Sequence, residues 1–263
     1  KKYVPFVDEL EANGYVLGRT GKGVTPFRYA RNEKDSLWRM GNAAGPDFDF
    51  VNYTNTNDER TATGIRDLNY AENFKIFLDS IRGDKPFFYW FGAYEPHRKY
   101  EAGSWKRLGK KLEDVQVPEF FPDTKEIRSD LLDYAVEIEW FDLHLGRMLS
   151  NLEEVGELEN TIVIVTADNG MPFPRAKANS YDYGVHVPMA IRYPKEISGG
   201  KVYETTVGLI DIAPTLFEVT GISPSQMMTI TGQSIWSMIT KNKEDKDRAV
   251  FSGRERHSSS RYH

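Results

Sequence analysis

The stretch that most limits how this chain can fold is Thr161 to Gly170, TIVIVTADNG, a β-branched apolar run that stops abruptly at Asp168-Asn169-Gly170. β-Branched side chains favour extended backbone, and a run without polar alternation fits a strand covered on both faces, as in a parallel sheet. The stretch therefore predicts a buried parallel strand of an open α/β sheet. Its carboxyl end, where such sheets place ligands, carries two oxygen-bearing side chains. The following Met171-Pro172-Phe173-Pro174 argues against an immediate hairpin, because proline cannot donate to a strand ladder. Taken alone, the tripeptide would read as an Asn-Gly turn with a capping Asp.

Around this strand the apolar periodicity alternates. Val4 to Asn13 has helical spacing and stops at Gly14, and Tyr15 to Arg19 reads as a strand leading into Gly21-Lys22-Gly23. Thr25 to Asn69 is polar and turn-rich, which predicts a long excursion over the active face. Tyr70 to Arg82 is a helix closed by Gly83, and Pro86 to Ala93, PFFYWFGA, suits a central strand that ends in Glu95-Pro96-His97-Arg98. After a second excursion to about Lys125, the longest helix spans Arg128 to Val155. Its expected buried stripe is Leu131, Ala135, Ile138, Leu145, Leu149 and Leu152. Asp142 interrupts that stripe as a structural hydrogen-bonding group, with catalysis the alternative, and His144 is read as a face residue.

A strand over Val187 to Arg192, a helix over Asp211 to Val219 with Asp211 as its amino-terminal acid or cap, a short helix Ser234 to Ile239 and an edge strand Ala249 to Ser252 follow. The order predicts an α/β fold with a mixed, mostly parallel sheet flanked by helices on both faces.

Charge narrows the partners. The net charge of −5 arises from 34 basic and 39 acidic residues that are well mixed, so no basic stripe is offered to nucleic acid or to an anionic membrane. The chain has no cysteine, which removes disulfides, a thiolate zinc site and a cysteine nucleophile within these residues. No run approaches the roughly 20 apolar residues of a membrane span. The chain opens on Lys1 without a methionine or signal peptide and enters a helical pattern at once, so upstream sequence is expected to belong to the protein.

The chemistry-bearing candidates cluster at strand ends. The carboxylate of Asp168 and the amide oxygen of Asn169 are hard ligands suited to calcium or magnesium, although two ligands are only part of a site. His97 follows the other apolar strand and is expected in the same pocket, as a proton donor or anion ligand, or as a loop histidine satisfied by backbone carbonyls. Lys177 and Arg175 lie just past the metal pair, where fixed cations would clamp an anionic group; each alone also fits a solvated surface charge. Lys22 sits at a third strand end but lacks the G-x-x-x-x-G-K-[ST] spacing of a phosphate loop. Arg98 is a candidate for substrate contact, and His186, with Arg254, Arg256 and His257 in the tail, fits either substrate contact or plain solvent exposure.

These pieces, GKG at Gly21, PFFYWFGAYEPHR, YAVEIEWFDLHLGRML, IVIVTADNGMPFPRAK, GVHVPMAIRYP, VGLIDIAPTLFEVTGI and TGQSIW, resemble in order the sulfatase family of the alkaline phosphatase superfamily. The DNG-MPFP form and the Glu-Pro-His-Arg loop are most similar to its heparan N-sulfatase branch. The resemblance implies hydrolysis of sulfate esters or sulfamates on sulfated sugars, in a periplasmic, secreted or lysosome-like compartment. It implies that Asp168 and Asn169 ligate calcium, with magnesium second, that His97 and Lys177 bind the sulfate, and that Lys22 assists the nucleophile and the sulfate. His97 or a neighbour would protonate the leaving group.

It further implies a catalytic domain over residues 1–222 and the start of a smaller subdomain over 223–263. Two departures stand out. The histidine expected two positions after the first lysine is replaced by Val24. The formylglycine motif C/S-x-P-S-R and its paired aspartates have no match, which is expected if the amino-terminal part is missing, and these residues alone would then be inactive. A phosphomonoesterase or phosphonate hydrolase of the same superfamily, and a non-catalytic carbohydrate-binding relative, are the alternatives.

Overall fold

Strands β1, Val16–Gly21, and β2, Phe87–Gly92, run parallel in the register Val16↔Phe87 to Gly21↔Gly92. The computed structural model describes residues 4–24, 42–225, 227 and 229–253, so the tail candidates Arg254, Arg256 and His257 lie outside the described residues. The chain divides into two compact units, Lys1–Glu154 and Val155–His263.

In the first unit, α1 (Phe6–Ala12) precedes β1, and α2 (Tyr70–Ser80) leads into β2. Helix α2 starts where the sequence places it because the Asn69 side chain accepts the Glu72 N–H at 3.1 Å, capping an otherwise unpaired donor. The turn-rich segment before it is a packed layer. Its described part, residues 42–69, buries Tyr53, Ala62, Ile65 and Leu68 and carries neither helix nor extended strand. Asn73 on α2 anchors this layer, accepting from the Phe50 and Val51 N–H groups, both at 2.8 Å. β2 is half-buried along its whole length, short of the fully covered central strand its apolar run suggested.

Helix α3, Lys125–Glu154, forms as expected but turns a different face inward. The buried stripe is Leu132, Asp133, Val136, Glu137, Trp140, His144, Met148 and Leu152. Of the expected stripe only Leu152 is fully buried; Leu131, Ala135, Leu145 and Leu149 are half-buried and Ile138 is exposed. The reason lies in the partners. Leu132, Val136 and Trp140 form one cluster with Tyr53, Ala62, Ile65 and Trp105. Asp133 can be buried because the Gly103 N–H (2.8 Å), the Ser104 hydroxyl (2.7 Å) and the Trp105 N–H (3.2 Å) all donate to it. His144 is fully buried beside the Tyr53, Tyr70 and Trp140 rings, not on an outer face. Asp142 is solvent-exposed and does not interrupt the buried stripe.

In the second unit, β3 (Val163–Thr166) pairs with β4 (Met189–Arg192). The pair is antiparallel, Val163↔Arg192 to Thr166↔Met189, and β3 is half-buried, so the buried parallel strand expected here is not formed. The loop after β3 and the short α4 (Asp182–Val185) reverse the chain before β4 begins. The mixed character of the α/β fold comes from one parallel and one antiparallel pair among the described residues.

α5 (Ile212–Thr220) and α6 (Trp236–Lys241) complete the unit. Asp211 sits at the head of α5 as expected, but its carboxylate turns back to accept from the Gly208 N–H at 2.7 Å and the Gln233 N–H at 2.8 Å, and it pairs with Arg248 at 2.8 Å. Residues 249–252 form no strand, and Phe251, the largest apolar side chain of the segment, is 94% exposed and left unpacked.

Candidate functional site

Lys22 stands where β1 ends, on a turn whose backbone is tied on several sides. Its N–H donates to the Gly92 carbonyl at 2.5 Å and its own carbonyl accepts from the Trp90 indole at 3.1 Å. The Gly21 N–H donates to Asp49 at 2.7 Å and the Val24 N–H to Asn42 at 2.5 Å. Beneath the turn the buried Arg19 guanidinium donates to the Gly21 carbonyl and lies 3.1 Å from Asp47. Burial pushes the Asp49 carboxyl above the usual range, partly offset by the Gly21 N–H.

Glycine at 92 is a requirement of this arrangement, since a Cβ there would lie 1.6 Å from the Lys22 carbonyl oxygen. Gly92→Ala is therefore expected to destabilise the first unit by at least ~1–3 kcal/mol through forced separation of the strand ends. A thermal melt unchanged by the substitution would show that the Lys22 carbonyl does not occupy that space.

His97 is carried by the turn after β2, and a buried network holds that turn. Glu95, 6% exposed, accepts from the Arg66 N–H and from the Tyr70 hydroxyl, both at 2.7 Å, and the Tyr94 N–H reaches the same hydroxyl at 3.1 Å. Burial, with the Glu95 charge alongside, pushes the Tyr70 hydroxyl well above its ordinary range, so it acts as a fixed donor. His97 itself is exposed, with Nδ1 2.7 Å from the Arg98 carbonyl. A carbonyl can only accept, so Nδ1 carries a proton in this contact and Nε2 is the nitrogen turned to other partners. The ring thus satisfies a backbone carbonyl with one nitrogen and leaves the other for chemistry. Arg98 is engaged elsewhere: it grips Asp130 at 2.9 and 2.5 Å and lies 4.7 Å over the Tyr100 ring, and the Asp130 hydrogen bonds raise its pKa.

In the second unit the loop after β3 is closed by the Gly170 N–H, which donates to the Gly184 carbonyl at 3.1 Å; a Cβ on Gly170 would meet the Tyr183 carbonyl oxygen at 1.8 Å. Asp168 is exposed and Asn169 half-buried at the start of this loop. Asn169 Nδ2 donates to the Gly170 carbonyl at 2.8 Å, which orients the amide and leaves Oδ1 as its acceptor atom. Lys177 lies on the same loop, its N–H donating to the Met171 carbonyl at 3.1 Å. Arg175 is exposed in the left-handed region at φ 62° with its guanidinium 5.0 Å over the Tyr181 ring. His186 is 78% exposed and faces Asp182 at 3.4 Å.

Asp168, Asn169, Arg175 and Lys177 thus all lie on the one closed loop after β3, and His186 follows α4 beside Asp182. Carboxylate and amide oxygens are donors of the kind calcium and magnesium take. They fit in kind but are two in number, and among the described residues no group of three or more His, Cys, Asp or Glu could hold a metal ion.

Sequence reasoning passes over Asp49, Asn42 and Tyr70. Glu95 carries a signal, being an acidic residue directly after an apolar strand; Tyr70 carries none, since its role depends on a partner 25 positions away.

The chain matches the family model described as Sulfatase over residues 8–222. It is 28% identical to the ulvan-active sulfatase of Formosa agariphila across 79% of this chain and 34% of that protein. It is 30% identical to N-sulphoglucosamine sulphohydrolase of Homo sapiens across 65% of this chain and 38% of that protein. A solved protein in complex with its substrate, D-glucosamine-2-N,6-O-disulfate, shares the fold with a TM-score of 0.61 at 16% identity, across 94% of this chain and 66% of that one. The chain spans between 34% and 38% of the length of these two curated relatives.

Proposed function

The chain belongs to the sulfatase family, its family match covering residues 8–222, and from that premise we propose that the full-length protein hydrolyses sulfate esters or sulfamates on sulfated sugars of the glycosaminoglycan type. The observation that supports this reading is the closed loop after β3, on which Asp168, Asn169 and Lys177 all lie. Asp168 and Asn169 would supply part of a calcium site, with magnesium second; the bound ion would neutralise sulfate oxygens. Lys177 is assigned to binding the sulfate and Lys22 to assisting the nucleophile and the sulfate, each on a backbone held by its own turn. His97 uses Nε2 to hand a proton to the departing sugar oxygen or nitrogen. Arg175 and His186 are assigned to sugar contact, as is Arg98, which must first release Asp130. A formylglycine contributed outside these 263 residues would supply the attacking oxygen.

The assigned catalytic domain is residues 1–222, with 223–263 belonging to a smaller subdomain, and the working compartment is periplasmic, secreted or lysosome-like. The sugar class is supported by the relative that acts on N-sulphoglucosamine and by the structural neighbour bound to a disulfated glucosamine.

The test is an assay of the full-length, aldehyde-bearing protein on N-sulfoglucosamine, O-sulfated sugars and a matched phosphate ester. Sulfate release from the sugars, lost in Asp168→Ala, is the expected result. Phosphate release alone would replace the reading with a phosphoesterase, and silence on all three with a verified aldehyde would leave a carbohydrate-binding role.

A further inference from the structure

Glu137 lies on the inner face of α3, 1% exposed, and its Oε1 is buried without a hydrogen-bond partner. The neighbouring carboxylates differ from it in this respect. Asp133 receives three donors and Glu95 two. Where three acids are buried near one another, the one without donors is the one that keeps its proton, because a neutral carboxyl is the only form tolerated in that surrounding. Glu137 sits at a crowded point: a Cβ on Gly64 would come within 2.5 Å of the Lys99 carbonyl oxygen and 3.0 Å of Glu137 Oε1. The 61–66 segment is thus wedged between α3 and the turn that follows His97.

We propose that Glu137 is a positioning residue for the His97 turn, a neutral carboxylic acid that lets α3, the Gly64 backbone and residues 95–100 pack together, and whose ionisation loosens that turn. The inference rests on the assignment of His97 as the acid. The groups facing Glu137 are Asp133 from its own helix and, from the turn, Glu95 and the Tyr100 hydroxyl. The Tyr100 hydroxyl donates to the Pro96 carbonyl at 2.9 Å and Glu95 holds Tyr70 and Arg66, so both belong to the scaffold of the turn. A charge on Glu137 would act on that scaffold by repulsion and by its own unmet demand for solvent. Burial, reinforced by Glu95 and Asp133, holds the Glu137 carboxyl up to about 8.

The experiment is amide hydrogen exchange of residues 94–101 in the full-length protein between pH 7 and 9, corrected for the intrinsic rate, with the pH profile of sulfate release measured alongside. In the wild type, protection is expected to fall about tenfold per pH unit from pH 7 to about 8, where the opened turn has released the Glu137 proton and the closed one still holds it, and to level off above that, with kcat falling alongside while KM changes little. Glu137→Gln, isosteric and neutral, should hold its protection through pH 9 and move the alkaline limb of kcat upward. Parallel exchange profiles for the two proteins would overturn the proposal. Should the variant not fold, wild-type protection that stays flat from pH 7 to 9 would overturn it equally. The exchange readout needs no turnover, so a protein that releases no sulfate refutes the activity while leaving the positioning role to be judged on its own.

Discussion

His97→Ala in the full-length protein is expected to lower sulfate release from a sugar substrate by about 10²–10⁴-fold, with KM changed far less than kcat. The backbone prepares this residue for its role. The His97 N–H donates to the Tyr94 carbonyl at 2.9 Å and Nδ1 sits 2.7 Å from the Arg98 carbonyl, so the ring is oriented before any substrate arrives. Nε2 is then the nitrogen that carries and releases a proton. A sugar oxygen or sulfamate nitrogen leaves poorly as an anion, and that is where a positioned acid acts. An aryl sulfate with an acidic phenol needs no such proton. On that substrate the deficit of the variant should shrink sharply, and added imidazole should restore turnover on the sugar. Equal losses on both substrates would reassign His97 to sulfate binding, and unchanged turnover on the sugar would remove it from the mechanism.

The Gly21-Lys22-Gly23 turn and the Asp168-Asn169 pair are legible in the sequence because each follows an apolar run that ends abruptly, a signal that needs no knowledge of the partner. The same runs locate β1, β2, β3 and β4 within a residue or two. What the runs do not carry is pairing sense. β3 reads like a parallel strand, yet the loop after it turns the chain back, and β4 joins it antiparallel. The α3 stripe is misplaced when apolar letters alone are followed, because Asp133, Glu137 and His144 point inward. For Asp133 and His144, burial depends on donors from residues 103–105 and 71, which helical periodicity does not encode. Residues 42–69 read as an excursion for a related reason. Tyr53, Ala62, Ile65 and Leu68 pack without helical or strand period, so only the folded chain shows them as a layer. The Glu95–Tyr70 support beneath His97 is out of reach on the same ground.

The stability of the first unit is expected to show a flat top in pH, produced by two buried groups on α3 that titrate in opposite senses. Burial, helped by Glu95 and Asp133, raises Glu137 from 4.5 to about 8. Burial, helped by Arg147, lowers His144 from 6.5 to about 4; its Nδ1 takes the Ala71 N–H at 3.3 Å. For Glu137 the folded pKa lies above the unfolded one, so its contribution is complete below pH 4.5 and is lost as pH rises toward 8. For His144 the folded pKa lies below the unfolded one, so its contribution is complete above pH 6.5 and is lost as pH falls toward 4. Each slope corresponds to one proton, about 1.4 kcal/mol per pH unit. Between pH 4.5 and 6.5 the two cancel. Above 6.5 only Glu137 still changes, and stability should fall by about 2 kcal/mol by pH 8. Urea denaturation across this range, compared with Glu137→Gln, isolates that group, since every other titrating residue is shared. The variant should lose the alkaline fall and gain a rise between pH 4.5 and 6.5, where His144 is no longer opposed. Curves that run parallel for the two proteins would mean that Glu137 is ionised in the folded state, and a neutral carboxyl in the interior of α3 would be ruled out.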